Sequence, residues 1–164
     1  MNEGLARFNA LPAEEAEGFL LSCFPNRDWA ARVVAERPYP DPDILYLTAE
    51  RGLFLLTDAD WLAAFEAHPR IGERGGHEPA KSEHEQSGIR EAPDATLAAL
   101  AAENRAYEER FGHVFLIAAA GRSAEEILTE LRSRMRNRHD VELEVAKREL
   151  RKIMLLRLEG WLDT

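Results

Sequence analysis

Helix start and stop signals recur along the whole chain, while the alternation of apolar and polar residues that marks a half-buried strand is nearly absent. The pattern predicts an all-α fold, a helical bundle of about seven to nine helices. Pro12 suits a first helical turn and opens a stretch with Ala16, Phe19, Leu20 and Cys23 on one face before Pro25. A second helix spans about Asp28 to Glu36. Asp41-Pro42 reads as a cap and first-turn proline for a third, which Gly52 ends. Thr57 to Asp60 begins a short helix through Trp61, Leu62 and Phe65 that must stop near His68, because Pro69 disfavours α geometry in the residue before it.

From Arg70 to Lys81 three glycines and a proline without apolar periodicity predict a loop, and Ser82 to Glu85 has the spacing of a capping box. A long Ala- and Leu-rich helix is expected from Pro93 to Phe111, ended by Gly112. The short apolar run His113 to Ala120 fits an extended buried segment. Ser123 to Glu126 repeats the capping-box pattern and starts a helix to about Asn137; the last and longest helix runs from Asp140 to near Leu162. Its apolar stripe is Val145, Ala146, Leu150, Ile153, Met154, Leu158 and Trp161.

A chain of 164 residues with 45% hydrophobic and 31% charged residues has the size and composition of one domain, taken as residues 1–164. The formal net charge of -9 argues against a nucleic-acid partner, which needs a basic face to displace counterions. It does not argue against a small anion held by one or two arginines. The single cysteine, Cys23, excludes an internal disulfide and a Cys-based metal site, and suits a reducing compartment. No apolar run approaches a membrane span, no signal-peptide pattern opens the chain, and the C-terminus lacks a Ser-Lys-Leu ending. A cytoplasmic location without membrane contact is expected.

Three places invite a chemical reading. His68 stands at a helix end before proline, and imidazole changes protonation near neutral pH, which suits proton transfer. The alternative is a histidine stabilised by the helix dipole. Glu85 and Gln86 offer a carboxylate to orient an imidazole and an amide for a ureido or imide edge, but Glu85 also stands where a capping box wants a glutamate. Arg157 follows Met154 by three residues and precedes Trp161 by four, close to the apolar stripe. It needs an anionic or carbonyl partner from substrate or protein, unless it reaches water. A metal site is not expected: His84-Glu85-Gln86-Ser87-Gly88 has glycine where a zinc-binding H-E-x-x-H helix needs its second histidine. Gly72, Gly75 and Gly76 match no phosphate-loop spacing.

Together these stretches resemble the 2-oxo-4-hydroxy-4-carboxy-5-ureidoimidazoline (OHCU) decarboxylase family. The strongest match is His68-Pro69-Arg70-Ile71-Gly72 followed by Ser82-x-x-Glu85-Gln86-x-Gly88. Phe8-Asn9, Trp29, Arg37-Pro38 and Asn104-x-x-Tyr107-x-x-x-Phe111-Gly112-x-x-Phe115 support it, as does the stretch from Arg136-Asn137 through Glu144, Ala146 and Glu149 to Arg157-Leu158. The resemblance covers nearly the whole chain except the loop from Glu73 to Lys81. It implies an all-helical, often dimeric fold with no metal or organic cofactor, acting on a small ureidoimidazoline after urate oxidase and hydroxyisourate hydrolase. It also implies that His68 is the catalytic histidine and Glu85 the carboxylate beside it. Ser82, Gln86 and Arg157 would contact substrate, Pro69 would line the pocket, and the backbone after Phe115, at Ile117 and Ala118, would bind the heterocycle. Two other readings compete: a helical interaction module without catalysis, and a hydrolase of a related ureide that releases no carbon dioxide.

Overall fold

The structure, a computed structural model, describes residues 2–71 and 92–164. Among the described residues the regular structure is entirely helical, in eight helices. They are α1 (Glu3–Ala10), α2 (Ala13–Cys23), α3 (Arg27–Ala35), α4 (Pro42–Leu53), α5 (Asp58–Ala67), α6 (Asp94–Phe111), α7 (Ala124–Arg134) and α8 (His139–Leu162). No helix of the described residues is long and apolar enough to cross a membrane. The expected loop from Arg70 to Lys81 and the expected capping box at Ser82 to Glu85 fall wholly or almost wholly outside the described residues.

Local chemistry explains most boundaries. The side chains of Asn26, Asp41 and Ser123 accept from the backbone N–H three residues on, so each ends the search for a partner of one free helix-start donor. Ser123 and Glu126 form the full reciprocal capping box. Thr57 and Asp60 exchange the same pair of bonds at 3.2 and 3.0 Å before α5. Gly112 takes the left-handed conformation at φ 79°, and its N–H donates to the Glu108 carbonyl, ending α6. Helix α3 starts one residue before the expected Asp28 because Asn26 is the better-placed cap, and α7 ends at Arg134 rather than Asn137. Gly52 lies inside α4 instead of ending it: a Cβ there would sit 2.8 Å from the Trp29 ring, so the glycine makes room for the indole.

The first helix was not expected from the sequence. Asn2 caps its start, and its end is closed from far along the chain: the Arg37 guanidinium donates to the carbonyls of Phe8 at 2.8 Å and Leu11 at 2.7 Å. The Asn9 side chain accepts from the Tyr39 N–H at 2.9 Å and donates to its carbonyl at 3.0 Å, across a cis Arg37-Pro38 peptide. Phe8-Asn9 and Arg37-Pro38 are therefore two halves of one clamp.

The chain divides into two compact units, residues 1–64 with 151–164, and residues 65–150. The first buries Phe8, Leu20, Phe24, Trp29, Leu45, Leu53 and Leu158 in its core, and Trp29 donates its indole N–H to the Ala49 carbonyl at 2.8 Å. Gly4 packs so closely on the end of α8 that a Cβ would fall 1.9 Å from the Leu162 carbonyl oxygen. In the second unit Ile71, Leu100, Tyr107, Phe115, Ile117, Ala119, Ile127 and Leu131 form one apolar cluster.

Candidate active site

His68 follows the last residue of α5, and its N–H donates to the Phe65 carbonyl at 3.1 Å, a tightened final turn before Pro69. Its Nδ1 lies 3.2 Å from the Pro69 carbonyl oxygen. A carbonyl only accepts, so in the neutral ring this contact puts the proton on Nδ1 and the lone pair on Nε2, which is shielded from solvent. His68 and Pro69 are both half-buried. Arg70, by contrast, turns outward and forks onto Glu108, with its shorter contact at 2.6 Å. Ile71 then enters the apolar cluster beside Phe115, Ile117 and Ala119. The turn carrying His68 is thus tied to the segment that holds Ile117 and Ala118.

That segment, residues 113–120, has neither helical nor strand hydrogen bonding, and Val114 through Ile117 are buried. Two side chains meet its backbone. Arg134 donates Nη1 to the Leu116 carbonyl at 2.6 Å, and the Ala118 N–H donates to the Glu149 carboxylate at 3.3 Å. Arg134 is itself held: Nε and Nη2 donate to Glu142 Oε1 at 2.8 and 2.6 Å, and its guanidinium lies 4.4 Å from the Phe115 ring centre. Tyr107 donates its hydroxyl to the same Glu142 oxygen at 2.5 Å, and Asn137 donates to the other at 3.0 Å. Burial and then the bond to Glu142 push the Tyr107 hydroxyl far above its usual range, so it stays a donor. A carboxylate this deep, with no exposure at all, is tolerated because cation and neutral donors occupy both oxygens.

Of the residues expected at a site, His68, Pro69, Ile117 and Ala118 lie in the second unit. Arg157 lies in the first, half-buried on α8, where its Nη1 donates to the Ser22 carbonyl at 3.2 Å. Ser82, Glu85 and Gln86 fall outside the described residues. Sequence reasoning missed Arg134, Glu142 and Glu149 as residues of any special role. The signal was present: Ile127, Leu131 and Arg134 share one helical face, as do Glu142, Ala146, Glu149 and Ile153, and all seven are buried. A charged residue in register with an apolar stripe marks a buried, partnered charge.

A family model described as OHCU decarboxylase matches residues 9–159. The uric acid degradation bifunctional protein TTL of Arabidopsis thaliana is 33% identical over 142 residues, covering 83% of this chain and 44% of that protein. The uric acid degradation bifunctional protein of Bacillus sp. (strain TB-90) is 27% identical over 157 residues, covering 94% of this chain and 31% of that protein. The chain spans less than half the length of these curated relatives. A crystal structure of OHCU decarboxylase in the presence of (S)-allantoin superposes with a TM-score of 0.75 at 30% identity, over 88% of this chain and 96% of that one. A crystal structure of (S)-allantoin synthase, at 20% identity and a TM-score of 0.73, covers 98% of this chain and 54% of that one, and speaks to the fold. With the family model spanning all but the two ends of the sequence, this chain belongs to the OHCU decarboxylase family.

Proposed function

We propose that this chain decarboxylates 2-oxo-4-hydroxy-4-carboxy-5-ureidoimidazoline to (S)-allantoin and carbon dioxide without a cofactor, in the breakdown of urate. The observation that carries the reading is its membership of the family across residues 9–159. The likeness over 96% of a solved OHCU decarboxylase crystallised in the presence of (S)-allantoin supports it.

The chemistry suits a site built from side chains alone. When the bond to the carboxylate breaks, its electron pair needs an acceptor, and the substrate's own ring imine, conjugated with that carbon, provides one. His68, oriented by Glu85, takes or fixes the hydroxyl proton as carbon dioxide leaves, giving an enol-like intermediate. The ring nitrogen that received the pair takes a proton from solvent, and as the hydroxyl gives up its proton to become the carbonyl, a second proton goes to one face of the neighbouring carbon, which sets the single enantiomer. The Nδ1 contact to the Pro69 carbonyl supports this role by fixing the orientation of the ring. Arg157, Gln86 and Ser82 hold the heterocycle and ureido arm, Pro69 lines the pocket, and the backbone at Ile117 and Ala118 meets the ring. We take residues 1–164 as one functional domain, acting in the cytoplasm, with a homodimer as the expected assembly; light scattering tests the last point.

The test couples urate oxidase and hydroxyisourate hydrolase to this protein and follows the circular dichroism of the allantoin formed. Wild type should produce (S)-allantoin much faster than the spontaneous racemic decay. His68→Asn should lose about 10²- to 10⁴-fold in turnover, the usual contribution of a positioned acid or base, with an unchanged far-ultraviolet spectrum. A wild-type time course no faster than spontaneous decay would sink the assignment. Ammonia release without carbon dioxide would point to a ureide hydrolase.

A further inference from the structure

Residues 115–119 carry a period of two: Phe115, Ile117 and Ala119 all enter the same apolar cluster, while Leu116 and Ala118 do not. Alternation of this kind is the mark of extended backbone. In extended backbone the N–H and C=O of one residue point to the same edge, and those of the next residue point to the other. The two groups engaged by buried charged side chains, the Leu116 carbonyl and the Ala118 N–H, therefore belong to one edge. The Ile117 N–H and C=O belong to the opposite edge.

We propose that Glu149 and Arg134 are positioning residues, which grip Leu116 to Ala118 by one edge so that the other presents the Ile117 N–H and C=O to substrate. This rests on the reading above that the segment meets the heterocycle. A donor beside an acceptor on one backbone edge complements the adjacent N–H and C=O of a cyclic urea or imide, as β-ladder pairing complements a peptide. The grip is rigid for a physical reason. Arg134 is 3% exposed and fixed on Glu142, itself fixed by Tyr107 and Asn137, and Glu149 is 4% exposed on the next helix. Neither anchor can follow a drifting backbone without giving up a hydrogen bond to it inside the core, which is costly. A site built on such anchors keeps its hydrogen-bonding edge at a set angle before substrate arrives.

Glu149 is the position at which the idea is best tested, because its two conservative replacements separate acceptor from charge. Glu149→Gln keeps an amide oxygen able to accept from the Ala118 N–H; Glu149→Met keeps the length and loses the acceptor. Both would be compared with wild type for KM, kcat, the Kd of (S)-allantoin by calorimetry, far-ultraviolet dichroism and Tm. The expected result is a rise of about tenfold in KM and Kd for the methionine variant, the size of one lost hydrogen bond, with kcat within about twofold. The glutamine variant should stay within about twofold of wild type in all three, since the acceptor survives. A folded methionine variant with wild-type KM and Kd overturns the proposal, as does a glutamine variant that falls equally far. Should the methionine variant fail to fold, Glu149→Asp, which withdraws the carboxylate by one methylene, carries the same expectation of raised KM and Kd. Wild type that neither forms allantoin nor binds it overturns the functional reading, and the positioning role with it. Active wild type with unresponsive Glu149 variants overturns the positioning role alone.

Discussion

Tyr39 shows how much one buried hydroxyl governs at the level of single residues. It is 4% exposed, donates to the Val33 carbonyl at 2.6 Å, and takes part in the clamp through its backbone. Burial first, and the nearby Glu36 carboxylate second, push its hydroxyl up to about 12. The consequence for stability has a definite sign. Below about pH 10 the phenol is neutral in both folded and unfolded chains, so its contribution is fully present. As pH rises from there through about 12, the unfolded chain ionises first and stability drains away. Urea unfolding across alkaline pH should show this loss, and Tyr39→Phe should make the curve flatter while leaving the slope with urea unchanged. Phenolate absorbance of the native protein should lag behind that of the protein in urea. An identical pH dependence in wild type and Tyr39→Phe would remove Tyr39 as the cause.

Helices in this chain are legible in proportion to how local their stabilisation is. Asn26, Asp41 and Ser123 satisfy donors three residues away, so the starts of α3, α4 and α7 can be read within a few letters. Helix α1 is different. Its eight residues carry a short apolar face, Leu5 and Phe8, and the group that closes its end is Arg37, 29 residues beyond Phe8. No local rule reports a guanidinium that arrives from the loop after α3. The same limit applies to the candidate site. His68 before Pro69 stands out by itself, whereas Arg134 sits in Arg132-Ser133-Arg134-Met135-Arg136, a run that reads as solvated until the face it shares with Ile127 and Leu131 is counted. Ser82, Glu85 and Gln86 lie outside the described residues, and their expected roles rest on the resemblance. The clamp predicts that Arg37→Met, which keeps much of the side chain's apolar length and removes every donor, costs about 1 to 3 kcal/mol by depriving the Phe8 and Leu11 carbonyls of their bonds. Chemical denaturation measures it. A loss below about 0.5 kcal/mol, the range of an ordinary surface change, would mean that water replaces the guanidinium without penalty.

At the scale of the molecule, the two compact units do not correspond to two stretches of sequence. The first is closed by the chain's last residues, 151–164, and two helices cross the boundary: α5 between Ala64 and Phe65, and α8 between Leu150 and Arg151. A helix has no natural breaking point at its middle, because interrupting it there strands several backbone donors and acceptors at once. In α8 the interruption would also fall among Leu150, Ile153 and Met154, all buried. Independent melting of either unit would therefore have to unwind part of the other's framework. The chain should unfold in one calorimetric transition, with a van't Hoff enthalpy equal to the calorimetric one. Taking about 0.7 kcal/mol per residue near 60 °C, the described residues should contribute roughly 100 kcal/mol to that enthalpy. Two resolved transitions, or a van't Hoff value of roughly half the calorimetric one, would show that the units melt separately despite the shared helices.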